Sequence, residues 1–273
     1  MMQMMQMMQM MQTTQTTQTT PWITRSFTAL TALTALTALT ASSALATPTP
    51  TPAVEALKAP LKVTLPAIPN GAPIPAEYAF CVEDGKGKAG LGANKSPEIR
   101  WEGAPASARS FVVLVTDPKV PSKADDLNKD GRTISKDLPR VDFYHWALAD
   151  IPATVTHLPA GAESEGISPR GKSPAAGKVG VRGLNNYTDW FAGDEAMKGD
   201  YAGYDGPCPP WNDELMHEYR FEVFALDVET LSLPAGFKVP ALLKAMEGHV
   251  LARGESVGLY RLNTAVPYPT TTP

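Results

Sequence analysis

Three segments of the sequence place polar side chains where strands are predicted to end or begin. Asp117 ends one apolar run, and His145 lies inside a second. His217 and Tyr219 stand at alternate positions of a third run, so they share one face of a strand. If these strand ends meet, they form a small pocket with two imidazoles, one phenol and one carboxylate. Imidazole and phenol donate hydrogen bonds and a carboxylate can orient an imidazole, so this set suits an anion.

The predicted ligand of such a pocket is a phosphate-like group. Each donor to a charged oxygen contributes roughly 1.5–3 kcal/mol. After the cost of association, three donors give about micromolar to millimolar affinity. If the imidazoles donate, binding should strengthen as pH falls through roughly 6.5. Each residue alone also has an ordinary structural role, because core histidines and tyrosines are common and aspartate often forms turns.

The elements that must position these side chains are mostly strands. The predicted strands are 110–117, 141–150, 217–228 and 256–262. Alternation in the second places His145 on the face of Phe143 and Ala147. Mostly strands, proline-rich loops and one late helix predict a β-sandwich-like domain with peripheral helix.

The single predicted helix lies near the C-terminus, from about Pro240 to Arg253. Proline suits its first turn, and Leu242, Met246 and Val250 form one apolar stripe. Gly254 is the predicted terminator.

Composition limits the possible classes of protein. The chain has 273 residues, of which 43% are hydrophobic, enough for one sizeable core. Its formal net charge is −4, from 24 Lys and Arg against 28 Asp and Glu, which argues against nucleic acid as the main partner. No apolar stretch approaches 18 uninterrupted residues, so no transmembrane span is predicted.

The first 52 residues are predicted to lie outside the folded domain. They contain two triplet repeats of low complexity, then a Thr/Pro-rich linker. Arg25, the mildly apolar run 27–41 and a small-residue pattern ending at Ala46 resemble an export signal. The alternatives are a periplasmic or secreted protein and an unstructured tail on a cytoplasmic one. The domain is predicted over 53–266, followed by a Pro/Thr-rich tail over 267–273.

The sequence contains only two cysteines, Cys81 and Cys208. No C-x-x-C spacing occurs, so a cysteine-based structural zinc site is excluded. Export would favour a disulfide between them, and the alternative is two separate thiols.

Five short motifs occur in an order that resembles the phosphatidylethanolamine-binding protein family, in its bacterial Raf-kinase-inhibitor-like branch (YbhB/YbcL type). The resemblance covers about residues 61–262. The motifs are SPEIRW at 96–101, TDPKVP at 116–121, HW at 145–146, GPCPP at 206–210 and HEY at 217–219.

This resemblance implies a β-sandwich with an anion pocket for phosphate-bearing small molecules or lipid head groups. It also implies a non-enzymatic protein without a cofactor, with a kinase or protease as its target. By motif match, the pocket is lined by Asp117, Pro118, His145, Pro207, His217 and Tyr219. Two inserts, one between DPKVP and HW and one at 211–216, are expected to reshape or cover the pocket mouth.

Three other functions stay open. In the first insert, Asp126, Asn128, Asp130 and Asp137 partly match a calcium loop, although the twelfth position is aspartate and no helical pattern flanks it. Alternatively, the two pocket histidines and Asp117 have the composition of a metal site in a hydrolase or oxygenase. The third alternative is a protein-interaction domain with a vestigial pocket.

Overall fold

A computed structural model of the chain describes residues 60–176 and 178–270. The strands are β1 Lys62–Thr64, β2 Ala72–Pro73, β3 Cys81–Glu83, β4 Ala89–Leu91, β5 Ile99–Glu102, β6 Ser110–Pro121, β7 Arg140–Pro152, β8 His157–Leu158, β9 Gly171–Lys172, β10 Val181–Arg182, β11 Asp200–Tyr201, β12 His217–Leu226 and β13 Val250–Tyr260. The α-helices are α1 Tyr187–Trp190 and α2 Val239–Met246, and short 3-10 turns cover Ala76–Tyr78 and Pro174–Ala176.

The main structural element is a six-stranded sheet in the order β10-β7-β6-β12-β13-β2. Its long central strands are antiparallel, and only the short edge strand β2 runs parallel to its neighbour β13. β-Branched and aromatic residues dominate the centre of β6 and β12, as expected for strands buried in a sheet. These central strands carry Asp117, His217 and Tyr219.

One face of the large sheet is covered by a three-stranded sheet of order β1-β5-β8. The ring of Trp101 on β5 meets Phe111 on β6 edge-to-face, with centroids 5.4 Å apart. The core between them continues through buried side chains from both layers: Ile99, Val113, Val115, Leu148, Phe221 and Val223.

The opposite face of the large sheet is covered by α2. Leu242 and Met246 pack there with Val112 and Leu114 of β6 in a second core. The fold is therefore mostly β, with few helices and one of them near the C-terminus, which confirms the predicted class.

The predicted C-terminal helix is correct in place but wrong in extent. It ends at Met246 and does not continue to Arg253. Gly248 adopts a left-handed φ of 80°, which reverses the chain, and β13 then begins at Val250. The predicted terminator Gly254 lies inside β13, because the stretch after Gly248 pairs with β12.

Several predictions fall on residues outside the described range. The repeats, the signal-like stretch and the linker lie there, as do the last three residues of the tail. The domain boundaries and the cellular location therefore stay predictions. Among the described residues, no helix is long and apolar enough to cross a membrane.

Candidate functional site

Polar residues of β6 and β7 and of the start of β12 meet at the base of one cavity of about 150 Å³. Four of the predicted residues line it: Asp117, His145, His217 and Tyr219. Each of these side chains is at most 3% exposed. The structure therefore brings together the imidazoles, the phenol and the carboxylate that the sequence placed on separate strands.

A bulge in β6 turns Asp117 toward the cavity. Asp117 pairs with Phe143, and Val120 pairs with Val141, so β6 has one more residue than β7 between these pairs. Pro118 follows Asp117 inside this bulge, where its missing N–H breaks no ladder hydrogen bond. The Asp117 Oδ1 atom accepts a 2.8 Å hydrogen bond from the Lys119 amide, which fixes the carboxylate.

A second bulge, in β7, turns the buried His145 side chain toward the cavity. Val115 pairs with Trp146 and Thr116 pairs with Tyr144, so His145 is the extra residue. Bulges re-aim side chains in this way and are frequent beside functional sites.

The bulge corrects one prediction, which assumed regular alternation along β7. His145 stays on the side of Phe143, with ring centroids 4.9 Å apart. Ala147 instead packs in the second core, on the other face of the sheet, with Leu114. The extra residue shifts the alternation by one, so His145 and Ala147 are separated.

The orientation of the His145 ring comes from a backbone carbonyl. Its Nδ1–H donates a 2.8 Å hydrogen bond to the carbonyl oxygen of Asp205, since a carbonyl can only accept. Burial lowers the pKa of His145, and the nearby Asp117 charge only partly opposes this effect. In the neutral ring the remaining nitrogen, Nε2, is consequently an acceptor.

The Asp205 segment is held by a buried polar network. Its carboxylate accepts hydrogen bonds from Asn94 and Asn185, each at 2.8 Å, and from Lys172 at 2.5 Å. This charged and hydrogen-bonded carboxylate fixes the carbonyl that in turn orients His145.

Two carboxylates hold His217, one at each ring nitrogen. Nδ1–H donates to Asp117 Oδ2 at 2.6 Å, and Nε2–H donates to Asp213 Oδ2 at 3.3 Å. Burial disfavours the imidazolium, but the charges and hydrogen bonds of Asp117 and Asp213 outweigh it and raise the pKa of His217 to about 9. His217 is therefore a cation with both donors already used.

Asp213 belongs to the second insert and is itself fixed by Arg140. The guanidinium of Arg140 donates to both of its carboxylate oxygens, at 2.5 and 3.0 Å. Burial opposes ionisation of Asp213, yet the hydrogen bonds from His217 and Arg140 lower its pKa. The same guanidinium binds the carbonyls of Lys119 and Ser135, so it also ties the first insert to the site.

Tyr219 offers the free polar group of the cavity. Its hydroxyl is buried and makes no well-formed hydrogen bond among the described residues, although the Asp117 carboxylate lies near enough to interact with it. Its ring lies edge-on to His145, with centroids 5.1 Å apart. Burial and then the charge of Asp117 raise the pKa of Tyr219 well above its usual value, so the hydroxyl stays protonated. A buried donor without a partner costs about 1–3 kcal/mol, which a bound oxygen would recover.

An aromatic wall faces these polar groups. Tyr187 stacks against both Phe80 and Phe191, with centroids at 4.7 and 5.6 Å, and those two rings are 6.0 Å from each other. Tyr187 comes from α1, in a segment whose sequence did not reveal a role, and its hydroxyl donates to the Gly206 carbonyl. The cavity therefore combines a polar base with apolar sides.

The GPCPP turn forms part of the wall and is held by a disulfide between Cys81 and Cys208. Cys208, Pro209 and Pro210 line the cavity. Two other residues predicted there do not line it. Pro207 is buried and its carbonyl accepts from the Cys81 amide, and Pro118 shapes the β6 bulge. Both act on the backbone that carries the lining residues.

The pH dependence predicted from ordinary histidines changes with these contacts. His217 stays protonated until the pH approaches 9, so its charge is constant around pH 6.5. Because the pKa of His145 is lowered, its protonation takes place at lower pH than 6.5. Any gain in anion affinity from His145 should thus continue below pH 6.5.

The two inserts dock on each other beside the cavity through Asn212. Its side chain binds the backbone of Asp126, Asn128 and Arg132. Leu127 and Asn128 of the first insert line the cavity. This arrangement matches the expectation that the inserts reshape the mouth.

The predicted calcium-loop residues have other contacts. Asp130 forms an ion pair with Lys88 at 2.8 Å, and Asn128 accepts from the Trp211 amide. Asp126 lies 3.6 Å from Arg132, and Asp137 lies 3.1 Å from Lys136. Among the described residues, no three His, Cys, Asp or Glu side chains are grouped as metal ligands.

Comparisons with known proteins agree with the motif resemblance. Residues 64–261 match a family model described as phosphatidylethanolamine-binding protein. A UPF0098 protein of Methanothermobacter thermautotrophicus is 32% identical over 170 residues, which are 62% of this chain and 85% of that protein. One of Chlamydia trachomatis is 30% identical over 200 residues, 73% and 98% of the two chains. The name of these relatives assigns no activity.

A solved structure is also similar. Escherichia coli YbcL, described as a new member of the mammalian PEBP family, superposes with a TM-score of 0.53 and 27% identity. The similarity covers 74% of this chain and 99% of that one.

Proposed function

The chain belongs to the phosphatidylethanolamine-binding protein family, and we propose that it binds the phosphate-bearing end of a small molecule or lipid in the cavity around Tyr219 and His145. The observation that carries this proposal is the buried Tyr219 hydroxyl, which makes no well-formed hydrogen bond among the described residues and lines the cavity. A phosphate oxygen would supply the missing acceptor.

A hydrogen bond between the phosphate and His145 requires a proton on one of the two groups. Because Nδ1–H donates to the Asp205 carbonyl, neutral His145 offers a lone pair at Nε2. A phosphate oxygen that meets Nε2 must carry a proton, or His145 must gain one when the ligand binds. Binding of a fully ionised phosphate is therefore coupled to proton uptake.

His217 acts indirectly in this proposal. Both of its ring nitrogens donate to carboxylates, so it fixes Asp117 and supplies positive charge without touching the ligand. With one direct donor and one proton-dependent contact in place of three donors, the expected affinity lies at the weak end of the earlier range, at about millimolar.

The experiment compares two tyrosine variants by calorimetric titration with inorganic phosphate and with glycerol 3-phosphate. Tyr219→Phe removes a buried hydroxyl that makes no well-formed hydrogen bond, so it should weaken phosphate binding about tenfold or more and stabilise the ligand-free chain by up to about 1–3 kcal/mol. Tyr204→Phe is the matched control, because that buried hydroxyl donates to the Tyr78 carbonyl at 2.7 Å and does not line the cavity.

The control should show the opposite pattern, with lower stability and unchanged phosphate affinity. Glycerol without phosphate should not bind. Equal phosphate affinity in the wild type and in Tyr219→Phe would remove the basis of the proposal.

Two wider parts of the function are also proposals. Modulation of a kinase or a protease follows only from the family resemblance. Export to an oxidising compartment is supported by the Cys81–Cys208 disulfide, since such bonds persist there and are rare in the cytosol.

A further inference from the structure

The disulfide between Cys81 and Cys208 is part of the cavity wall. Both cysteines line the cavity. Cys81 is 3% exposed and packs in the main core, whereas Cys208 is only partly buried. A thiolate cleaves a disulfide by direct attack on a sulfur atom that it can reach. The disulfide is therefore a reactive group that a molecule in the cavity can meet.

The disulfide lies close to the mouth of the cavity. Leu91 of β4 is the cross-strand partner of Cys81 on β3, so the two side chains share one face with Cβ atoms about 4.5–5.5 Å apart. Leu91 also lines the cavity and is 48% exposed. Trp190, which is 36% exposed, is a second lining residue at the solvent boundary. A small molecule that passes Leu91 therefore reaches the disulfide.

The size of the cavity limits which thiols can enter. Its volume of about 150 Å³ corresponds to a benzene-sized molecule. A small thiol such as cysteamine or 2-mercaptoethanol fits this space, whereas a tripeptide thiol such as glutathione does not. The cavity should therefore select thiols by size.

The charges of the lining residues set a second limit. Asp117 is paired with the His217 imidazolium, and the other charged lining residues are the carboxylates of Asp84 and Asp194. Asp84 follows β3 directly, so its charge is on the same side of the cavity as Cys81. None of the lining residues in the described chain is Lys or Arg. A thiol with an anionic remainder would meet these carboxylates without a neutralising cation, so the lining favours an uncharged or cationic remainder.

We propose that Cys208 is a thiol-exchange site, which a small thiol with no negative charge on its remainder reaches through the cavity. The incoming thiolate attacks the Cys208 sulfur, so a new S–S bond forms there and the bond to Cys81 breaks. The Cys81 sulfur leaves with the electron pair and takes up the proton that the incoming thiol released. A neutral Cys81 thiol suits its apolar surroundings, because free cysteine packs as a small hydrophobic residue. The mixed disulfide forms on Cys208, since it needs space and Cys208 is the more exposed of the two.

Exchange releases one part of the wall, the segment 208–210. The turn before it is held by hydrogen bonds, including one from the Cys81 amide to the Pro207 carbonyl at 3.0 Å. The insert after it is held by the hydrogen bond from the Trp211 amide to Asn128. The two prolines between these anchors have no N–H to donate, so the disulfide is the covalent link that fixes this segment. The added group also occupies the cavity, so exchange should reduce the space left for a ligand.

The test follows the oxidised full chain with cysteamine, 2-mercaptoethanol, mercaptoacetate and glutathione. Acid quenching, alkylation of free thiols and intact mass measure the mixed disulfide, and peptide mapping locates it. Each rate is divided by the rate of the same thiol with an unhindered small disulfide, which removes differences in thiol pKa and nucleophilicity. The normalised rates of cysteamine and 2-mercaptoethanol should exceed those of mercaptoacetate and glutathione by about tenfold or more.

Two substitutions at Leu91 test the entry route. Leu91→Ala widens the mouth and should raise the normalised rate of glutathione severalfold. Leu91→Trp narrows the mouth and should slow cysteamine severalfold. Leu243→Ala is the matched control, because Leu243 is also exposed, at 40%, but lies on α2 and does not line the cavity. It should leave all four rates unchanged.

Unfolding is the alternative route to the disulfide, and the outcomes separate it from entry through the cavity. If exchange required unfolding, the four normalised rates would be equal and both Leu91 variants would change them in the same direction. Either that result or the absence of exchange in the folded chain would overturn the proposal. A mixed disulfide on Cys81 would contradict the assignment of Cys208 as the attacked sulfur. None of these results depends on phosphate binding, so the two proposals can fail separately.

Discussion

The hydrogen bonds from His217 to Asp117 and Asp213 predict how the free energy of unfolding depends on pH. A pKa of about 9 in the folded chain, against 6.5 for an ordinary histidine, means that protonated His217 stabilises the fold. The difference of about 2.5 units corresponds to about 3 kcal/mol, at 1.36 kcal/mol per unit. Because the folded pKa is the raised one, this contribution is complete below pH 6.5 and is lost as pH rises through 9.

Asp213→Asn is the perturbation that isolates this effect. It removes one of the two carboxylates at His217 and the partner of the Arg140 guanidinium, which is buried apart from about 10% of its side chain. Breaking a buried pair on one side costs about 3–5 kcal/mol. The variant should therefore be destabilised by about 3 kcal/mol at pH 6.5, and the pKa of His217 should fall.

Urea unfolding of the oxidised chain at pH 6.5, 7.5 and 9 measures both effects. Wild-type stability should fall by about 3 kcal/mol over this range because of His217, and Asp213→Asn should fall by clearly less. Asp227→Asn is the matched control, since Asp227 accepts from His249 at 2.8 Å with both side chains more than 40% exposed. It should change stability by less than about 0.5 kcal/mol. If the free energies of unfolding of wild type and Asp213→Asn showed the same dependence on pH, Asp213 would not be a cause of the raised pKa of His217.

Four further predictions concern the disulfide, the turn and the ligand. Intact mass after alkylation without reductant should show no alkyl groups on Cys81 and Cys208, whereas two added groups would mean free thiols and would weaken the export proposal. Replacing both cysteines by serine should cost up to about 4–5 kcal/mol in urea unfolding, because the bridge spans 127 residues. Titration of diethyl phosphate at pH 7.5 in buffers of different ionisation enthalpy should show uptake of up to one proton, assigned to His145, and its absence in His145→Gln. Gly206→Ala should be destabilised by about 1–3 kcal/mol, since its Cβ would collide with the Tyr78 carbonyl, while Gly90→Ala, with ordinary contact distances, should change less.

The sequence predicted the residues of the polar base but not their contacts. The sequence pattern places Asp117 and His217 at the ends of predicted strands and His145 inside one, and the motif order indicates that these segments belong to one pocket. Strand periodicity assumes regular pairing, so the bulge at His145 and the face of Ala147 were not predictable from it. The helix was overextended for a similar reason, because Gly248 and not Gly254 adopts the left-handed conformation.

The residues that the sequence missed act across long separations. Asp213 is four residues before His217 in the sequence, but its partner Arg140 is 73 residues away. Tyr187 stacks on Phe80, more than 100 positions earlier in the chain. Such pairs depend on how the loops dock, and no local spacing encodes them. The unusual length of the second insert was the available signal, and it pointed to the mouth without identifying Asp213.

The most direct test of the central claim is a crystal structure of the chain grown with butyl phosphate. We expect a phosphorus atom at the cavity base, with one oxygen within about 3.0 Å of the Tyr219 hydroxyl and another facing His145 Nε2. His217 should remain between Asp117 and Asp213. A cavity that holds only water at saturating butyl phosphate, or a phosphate bound elsewhere on the chain, would contradict the account.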